Sequence, residues 1–161
     1  MYKRQERVYA CGYSNGAFFA YALACFHSNR IAGIGSVSGT MMEESNLNCM
    51  PEHPTAMINI HGTSDNVVPY NGGEGLSSIE NTIDYWVGYN NTNTTPEIMS
   101  FNDGGTTIER YQYTEGDSSV SVEHYKVIGG DHVWFDMNFE GDNTAQLIWN
   151  FLSLYDINGL R

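Results

Sequence analysis

Short apolar runs alternate with longer segments of helical periodicity along the first half of the chain. Residues 7–11 form a short run that predicts a strand, and residues 17–26 are apolar nearly all round and long enough for a buried helix. Further apolar runs that begin at Ile31 and Thr55 predict two buried strands. The segment between them, residues 39–54, is predicted to be a loop.

The second half of the chain continues the alternation and adds a hairpin. Ser77 and Glu80 have the spacing of a capping box, so a helix is expected to begin there. Its apolar positions fall on one face: Ile79, Ile83, Trp86 and Val87. Residues 106–113 and 119–128 are strand-like and are separated by "TEGDS", which predicts a hairpin. A last helix is expected to open at Asn143, with these apolar positions: Leu147, Ile148, Phe151, Leu152 and Tyr155.

The order of these elements predicts the fold class. Strands that alternate with helices favour an α/β architecture, a mainly parallel sheet with helices on both faces. The 161 residues suffice for one domain with a sizeable core, and no linker suggests a second domain. We therefore expect residues 1–161 to belong to a single domain.

The net charge of the chain argues against two classes of binding partner. The formal net charge is −12, so the surface repels phosphate backbones and anionic membranes, and neither nucleic acid nor a membrane surface is expected as a partner. No stretch is long and apolar enough for membrane insertion. Neutral substrates remain open.

The sequence "VYACGYSNGAFF" carries the first sign of chemistry. Gly12, Ser14 and Gly16 lie between the first predicted strand and the first predicted helix. A serine on such a tight strand-to-helix turn is typical of a nucleophile elbow, and a structural turn of small residues is the alternative. A serine hydroxyl needs a base and an orienting carboxylate to act as a nucleophile.

An acid and a base follow in the chain order that this type of elbow requires, which is Ser, Asp, His. Asp65 lies in a turn-rich loop directly after a buried strand, and His132 follows the last strand and two glycines. A turn aspartate that binds its own backbone and a structural histidine are the alternatives. The other four histidines lie at a helix end, in a proline-flanked loop, before a glycine and within a strand: His27, His53, His61 and His124.

Neither a metal nor another cofactor is predicted. The histidines are far apart in sequence, no paired metal-ligand pattern occurs, and no phosphate-binding loop is present. The three cysteines, Cys11, Cys25 and Cys49, form no CxxC motif. One disulfide with one free thiol and three reduced thiols are both compatible with the sequence.

The segments "RVYACGYSNGAFFAYALAC", "INIHGTSDNVVPYNGG" and "VIGGDHVW" together resemble a known group of enzymes. They are similar to the secreted polyhydroxybutyrate depolymerase and feruloyl esterase group of α/β-hydrolases. That group typically shows a Ser-Asn-Gly elbow, an HGTxDxxVPY acid loop and a GGGHxWPG histidine loop. The likeness runs from residue 7 to the last helix, and the acid loop is its most specific part.

The resemblance implies a serine esterase that acts on neutral esters such as polyesters or feruloylated and acetylated polysaccharides. It implies Ser14 as nucleophile, Asp65 as orienting acid and His132 as base, with the backbone N–H of Asn15 as an oxyanion donor. The aromatic side chains of Tyr13 and Trp134 flank the nucleophile and the base in sequence and are expected to contact the substrate.

The cysteines and the localisation are also inferred from the resemblance. In relatives a cysteine at the end of the elbow helix pairs with one after the next strand, which implies a Cys25–Cys49 disulfide and a free, buried Cys11. A secreted or periplasmic location follows from the same likeness. The chain departs from the group's histidine loop in two places, where Asp131 replaces a glycine and Phe135 a proline.

The largest departure lies before the elbow. In this fold the elbow follows the fifth strand, so the resemblance implies that the N-terminal strands, on the order of a hundred residues, are lacking. The elbow strand is then expected to have an open edge and to self-associate or bind a separate N-terminal half. A non-catalytic interaction module that retains the triad residues is the alternative function, and a peptidase or thioesterase is a weaker one.

Overall fold

A six-stranded sheet organises residues 5–161, the part of the chain that the computed structural model describes. Its strands are β1 (Tyr9–Tyr13), β2 (Gly33–Val37), β3 (Ala56–Gly62), β4 (Glu97–Asp103), β5 (Thr106–Tyr113) and β6 (Val122–Val127). The spatial order is β1-β2-β3-β6-β5-β4. The first four strands in this order run parallel, and β5 and β4 continue the sheet antiparallel. The parallel strands all end at one edge, where loops can build a site.

Four helices and two short ribbons complete the fold. The helices are α1 (Asn15–Phe26), α2 (Glu43–Asn48), α3 (Ile79–Tyr89) and α4 (Thr144–Leu152), with single 3-10 turns at Ser28–Arg30 and Asp117–Ser119. The ribbons pair β7 (Asn138–Phe139) with β8 (Asp142–Asn143), and β9 (Tyr155–Asp156) with β10 (Gly159–Leu160). None of the helices in residues 5–161 has both the length and the apolar content needed to cross a membrane.

The sheet separates two apolar cores. On one face α1 and α3 pack against Met57 of β3, and on the other α4 packs against the neighbouring Ile58. Successive residues of a strand point to opposite faces, so β3, which is buried on both sides, contributes Met57 to one core and Ile58 to the other. The predicted α/β fold with helices on both faces is confirmed.

Two local predictions were wrong, and one strand was missed. The segment predicted as a loop contains α2, a short helix that buries none of its residues and therefore has no apolar period to detect. Strand β4 was not predicted, because it lies at the sheet edge with most side chains exposed. The cap of α3 is Ser78, whose hydroxyl accepts the Asn81 N–H, and not Ser77, which is buried.

A disulfide joins the end of the first helix to the segment after α2. Cys25 and Cys49 are bonded across a sequence separation of 24 residues. We expect Cys49→Ser to lower the free energy of unfolding by about 3 kcal/mol, because the open chain gains entropy in the unfolded state. Chemical denaturation without reductant measures the loss, with Cys11→Ser as the control. Equal stability of the two variants, or peptide mapping that finds both thiols free in the wild type, would contradict the prediction.

The outer edge of β1 is open among the described residues, since β1 pairs only with β2. The prediction that Cys11 is buried was wrong, because this thiol is free and exposed on that edge. An apolar groove runs along it, lined by Tyr9, Cys11, Trp134, Ala145, Ile148, Trp149 and Leu152. Unpaired backbone groups beside an apolar groove are a template for another strand.

Self-association through this edge remains a prediction. We expect sedimentation velocity to show concentration-dependent species larger than the monomer, and Cys11→Lys to weaken them by placing a charge on the edge. Ile98→Lys is the matched control, because Ile98 is exposed on β4, the opposite edge of the sheet. A monodisperse monomer that melts cooperatively at every concentration would contradict the prediction.

Candidate active site

The turn between β1 and α1 holds Ser14 in an unusual backbone conformation. Ser14 has φ 52° and ψ −117°, a left-handed region that residues with side chains rarely occupy. Its N–H donates to the carbonyl of Val37 at 2.9 Å, which ties the turn to the end of β2. A side chain at Gly12 would collide with the backbone of Gly16, so the tight approach of strand and helix requires glycine there.

The hydroxyl of Ser14 is not used to cap the helix. Serine at the position before a helix usually accepts a backbone N–H, and Ser14 makes no such bond. Its Oγ lies 2.9 Å from Nε2 of His132 instead. The turn therefore presents the hydroxyl to the imidazole at the carboxyl edge of the sheet.

The imidazole of His132 connects Ser14 with Asp65. Nδ1 lies 2.8 Å from Oδ2 of Asp65, and a carboxylate oxygen can only accept. Nδ1 therefore carries the proton, and the lone pair of Nε2 faces the Ser14 hydroxyl. The structure thus brings together the three residues that the sequence singled out, although they lie far apart along the chain.

The loop after β3 holds the carboxylate of Asp65 in a fixed orientation. Oδ1 accepts the backbone N–H groups of Val67 at 2.9 Å and Val68 at 2.8 Å. The carboxylate is fully buried, so these bonds and His132 replace the water it would otherwise bind. Only Oδ2 is left to face the imidazole.

A second histidine, His61, contacts the loop that carries Asp65. Nε2 of His61 lies 2.8 Å from the carbonyl of Val68 and 3.4 Å from Oδ2 of Asp65. Burial lowers the pKa of His61, so the ring is neutral and carries its proton on Nε2, towards these acceptors. The contact with Asp65 is thus not an ion pair.

His124 is a third buried imidazole, within β6. Its Nδ1 lies 3.0 Å from Oδ1 of Asn59, and its Nε2 accepts the Tyr70 hydroxyl at 2.9 Å. Burial lowers the pKa of His124 to about 3, well below that of an exposed histidine. The ring is therefore neutral in the folded protein.

This burial predicts a loss of stability in acid. The unfolded chain protonates His124 below about pH 6.5 while the folded chain does not, so stability is full above that pH and falls as pH drops towards 3. We expect His124→Gln to reduce the loss between pH 7 and pH 5, measured by urea denaturation. His27→Gln, on the exposed His27, is the control. Equal losses in wild type and His124→Gln would contradict the assignment.

The residues expected to contact substrate occupy different surroundings. The Tyr13 hydroxyl donates to the carbonyl of His132 at 3.1 Å, and the two rings are 5.2 Å apart. Asn15 is the first residue of α1, so its N–H has no acceptor within the helix and is free to face an anion. Trp134 is half exposed and lies in the groove along the outer edge of β1, whose lining does not include the three linked residues.

The two departures in the histidine loop have local explanations. Oδ1 of Asp131 accepts the N–H of His132 at 2.8 Å, so this carboxylate closes the turn before the base. Phe135 is buried in the core on the α4 side, and its carbonyl accepts the hydroxyl of Thr144. With both residues in place, Nδ1 of His132 lies 2.8 Å from Asp65 and Nε2 lies 2.9 Å from Ser14.

Sequence reasoning missed the groups that orient the three side chains. The N–H groups of Val67 and Val68 and the hydroxyl of Ser38, which donates to the Val133 carbonyl at 2.9 Å, carry no signal in the sequence. The turn residues around Asp65 were the one available hint. Among residues 5–161, no cluster of three or more His, Cys, Asp or Glu side chains is arranged to hold a metal ion.

The fold and the elbow together define an α/β-hydrolase: a mainly parallel sheet with covered faces and a serine on the turn from strand to helix. Residues 3–102 match the phospholipase/carboxylesterase family, and the chain belongs to that family. The match includes Ser14 and Asp65 and ends before His132.

Several curated proteins are similar to the chain. Feruloyl esterase B of Piromyces equi is 27% identical over 165 residues, which cover 94% of this chain and 28% of that protein. The bifunctional acetylxylan esterase/xylanase XynS20E of Neocallimastix patriciarum is 25% identical over 96% of this chain and 21% of its own length. A probable feruloyl esterase C of Aspergillus clavatus is 35% identical over 74 residues, 45% of this chain and 26% of that protein. The chain spans less than a third of each of these three relatives.

Proposed function

We propose that this chain carries the catalytic triad of a serine esterase, with Ser14 as nucleophile, His132 as base and Asp65 as orienting acid. The observation that supports this most is the continuous chain of hydrogen bonds from Asp65 through His132 to Ser14. The three side chains come from three separate loops at one edge of the sheet. A structural role would not need a serine held in a left-handed conformation with its hydroxyl on a histidine.

The geometry supports a two-step mechanism. His132 Nε2 takes the proton of Ser14 as Oγ bonds to the ester carbonyl carbon, and the imidazolium is stabilised by Asp65. His132 then gives this proton to the alcohol oxygen as the ester bond breaks, which leaves an acyl group on Ser14. A water molecule, deprotonated by His132, attacks the acyl carbon, and the proton returns to Ser14 as the acid leaves.

The N-terminus of α1 supplies positive potential where the carbonyl oxygen becomes negative. The N–H of Asn15 follows Ser14 directly, and the helix dipole adds to it. We propose Asn15 as one donor of the oxyanion hole. Such a donor stabilises the tetrahedral intermediate more than the ester, which lowers the barrier.

Esters of neutral polymers are the proposed substrates, namely feruloyl or acetyl esters of polysaccharides or polyhydroxyalkanoates. The names of the feruloyl and acetylxylan esterase relatives support the first two, and the net charge of −12 disfavours anionic substrates. We also propose a secreted or periplasmic location, for which the Cys25–Cys49 bond is the support.

A panel of soluble esters tests this proposal. Methyl ferulate, p-nitrophenyl acetate, p-nitrophenyl 3-hydroxybutyrate and an anionic p-nitrophenyl succinate are compared at equal concentrations. We expect hydrolysis of at least one neutral ester and a lower kcat/KM for the succinate. No hydrolysis of any ester would contradict an esterase and favour an interaction module, for which the open edge of β1 is the supporting observation.

A further inference from the structure

Ser38, directly after β2, has a positive φ, as Ser14 does. Its φ is 49°, in the left-handed region, and its side chain is completely buried. Its N–H donates to the carbonyl of Ile60, two residues before the end of β3, and that of Ser14 donates to the last residue of β2. Glycine would fit this backbone without strain, so the presence of a side chain needs a reason.

The side chain of Ser38 binds the loop that carries the base. Its Oγ donates to the carbonyl of Val133 at 2.9 Å, one residue beyond His132. The hydroxyl of Tyr13, at the end of β1, donates to the carbonyl of His132 itself at 3.1 Å. Two consecutive carbonyls of the histidine loop are therefore held by hydroxyls from the ends of two adjacent strands.

We propose that Ser38 is a positioning residue, which fixes the histidine loop so that Nε2 of His132 stays within hydrogen-bond distance of Ser14. This inference rests on the proposed function. The ends of β1 and β2 are tied by the bond from Ser14 N–H to the Val37 carbonyl, and Ser38 follows Val37 directly. Ser14 and Ser38 thus lie on the same pair of hydrogen-bonded strand ends, and the hydroxyl of Ser38 binds the loop that carries His132 to them.

The substitution Ser38→Gly distinguishes a role in positioning His132 from a purely structural role of Ser38. Ser38→Gly removes the hydroxyl but also relieves the left-handed backbone, so the two effects on stability oppose each other. The relief of backbone strain does not restore activity, because the Val133 carbonyl has still lost its hydrogen-bond donor. We therefore expect Ser38→Gly to lose activity while its melting temperature stays near that of the wild type.

The test compares wild type, Ser38→Gly and Ser38→Ala, with Ser28→Ala as the matched control. Ser28 is equally buried, and its hydroxyl accepts the Glu52 N–H, away from the histidine loop. We expect kcat for Ser38→Gly and Ser38→Ala to fall between about tenfold and a hundredfold, the scale of a misplaced catalytic group. KM should stay within about threefold, since ground-state binding is not touched. Ser28→Ala should lose thermal stability and keep its kcat.

The rate of covalent labelling by a fluorophosphonate gives a second readout. Labelling depends on His132 acting on Ser14, so it should slow by the same factor as kcat, at temperatures well below melting. If the wild type is not labelled at Ser14, the proposed function fails and the inference fails with it. If the wild type is labelled and both Ser38 variants react at the same rate, the inference about Ser38 is wrong and the proposed function stands. If Ser38→Ala does not fold, the comparison of Ser38→Gly with wild type decides.

Discussion

Ser14→Ala is expected to abolish ester hydrolysis, with kcat/KM at least about a thousandfold below that of the wild type. The reason is that the substitution removes the only oxygen that His132 Nε2 is placed to activate, at 2.9 Å. The hydroxyl of Ser38 is not available in its place, because it donates to the Val133 carbonyl. Initial rates on the best ester of the panel measure the effect.

Two controls make this result specific. Ser45→Ala removes a hydroxyl from α2, outside the three linked residues, and should keep its full rate. Thermal unfolding should show that Ser14→Ala is as stable as the wild type or more so, because its lost hydroxyl does not cap α1. A Ser14→Ala protein that retains more than about a tenth of the activity cannot be reconciled with nucleophilic catalysis by Ser14.

The second large effect is expected for Asp65→Asn, with a loss in kcat of about ten thousandfold, because the base is then held in the wrong tautomer. The amide keeps an oxygen for the N–H groups of Val67 and Val68 but presents an NH₂ group to His132. The imidazole then accepts at Nδ1 and carries its proton on Nε2. In that tautomer it cannot take the proton of Ser14.

Asp131→Asn is the matched control for this prediction. Asp131 lies next to the base, but its carboxylate accepts the backbone N–H of His132 and an amide oxygen can do the same. We expect its kcat to stay within about tenfold of the wild type. Equal losses for Asp65→Asn and Asp131→Asn would point to a general effect of negative charge, and no loss for Asp65→Asn would remove Asp65 from the triad.

Elements that bury an apolar face could be predicted from the sequence. Residues of α4 such as Leu147 and Phe151 repeat at helical spacing, and the structure buries both against the sheet. The start of α4 at Asn143 was also predicted, and in the structure the Asn143 side chain accepts the N–H of Gln146. The same reasoning failed at β4, which has one neighbour in the sheet and exposes most of its side chains, and at the solvent-facing α2.

Some residues of the candidate site could be predicted from the sequence and others could not. Ser14, Asp65 and His132 each follow a strand in the expected order, so their meeting at one edge of the sheet could be predicted. The groups that orient these three side chains could not be predicted, because neither a backbone N–H donor nor a serine with φ 49° has a sequence pattern of its own. Cys11 was misjudged for another reason, since the exposure of a strand residue depends on which strand lies beside it.

The assignment of Ser14 as the nucleophile is best tested by mapping the residue to which a fluorophosphonate attaches. The wild-type chain is treated with a fluorophosphonate, digested and mapped by mass spectrometry, with Ser14→Ala treated in parallel. We expect a single adduct on Ser14, which is absent from Ser14→Ala and forms far more slowly in Asp65→Asn. An adduct on a different serine, or none at all in a protein that hydrolyses esters, would contradict the assignment.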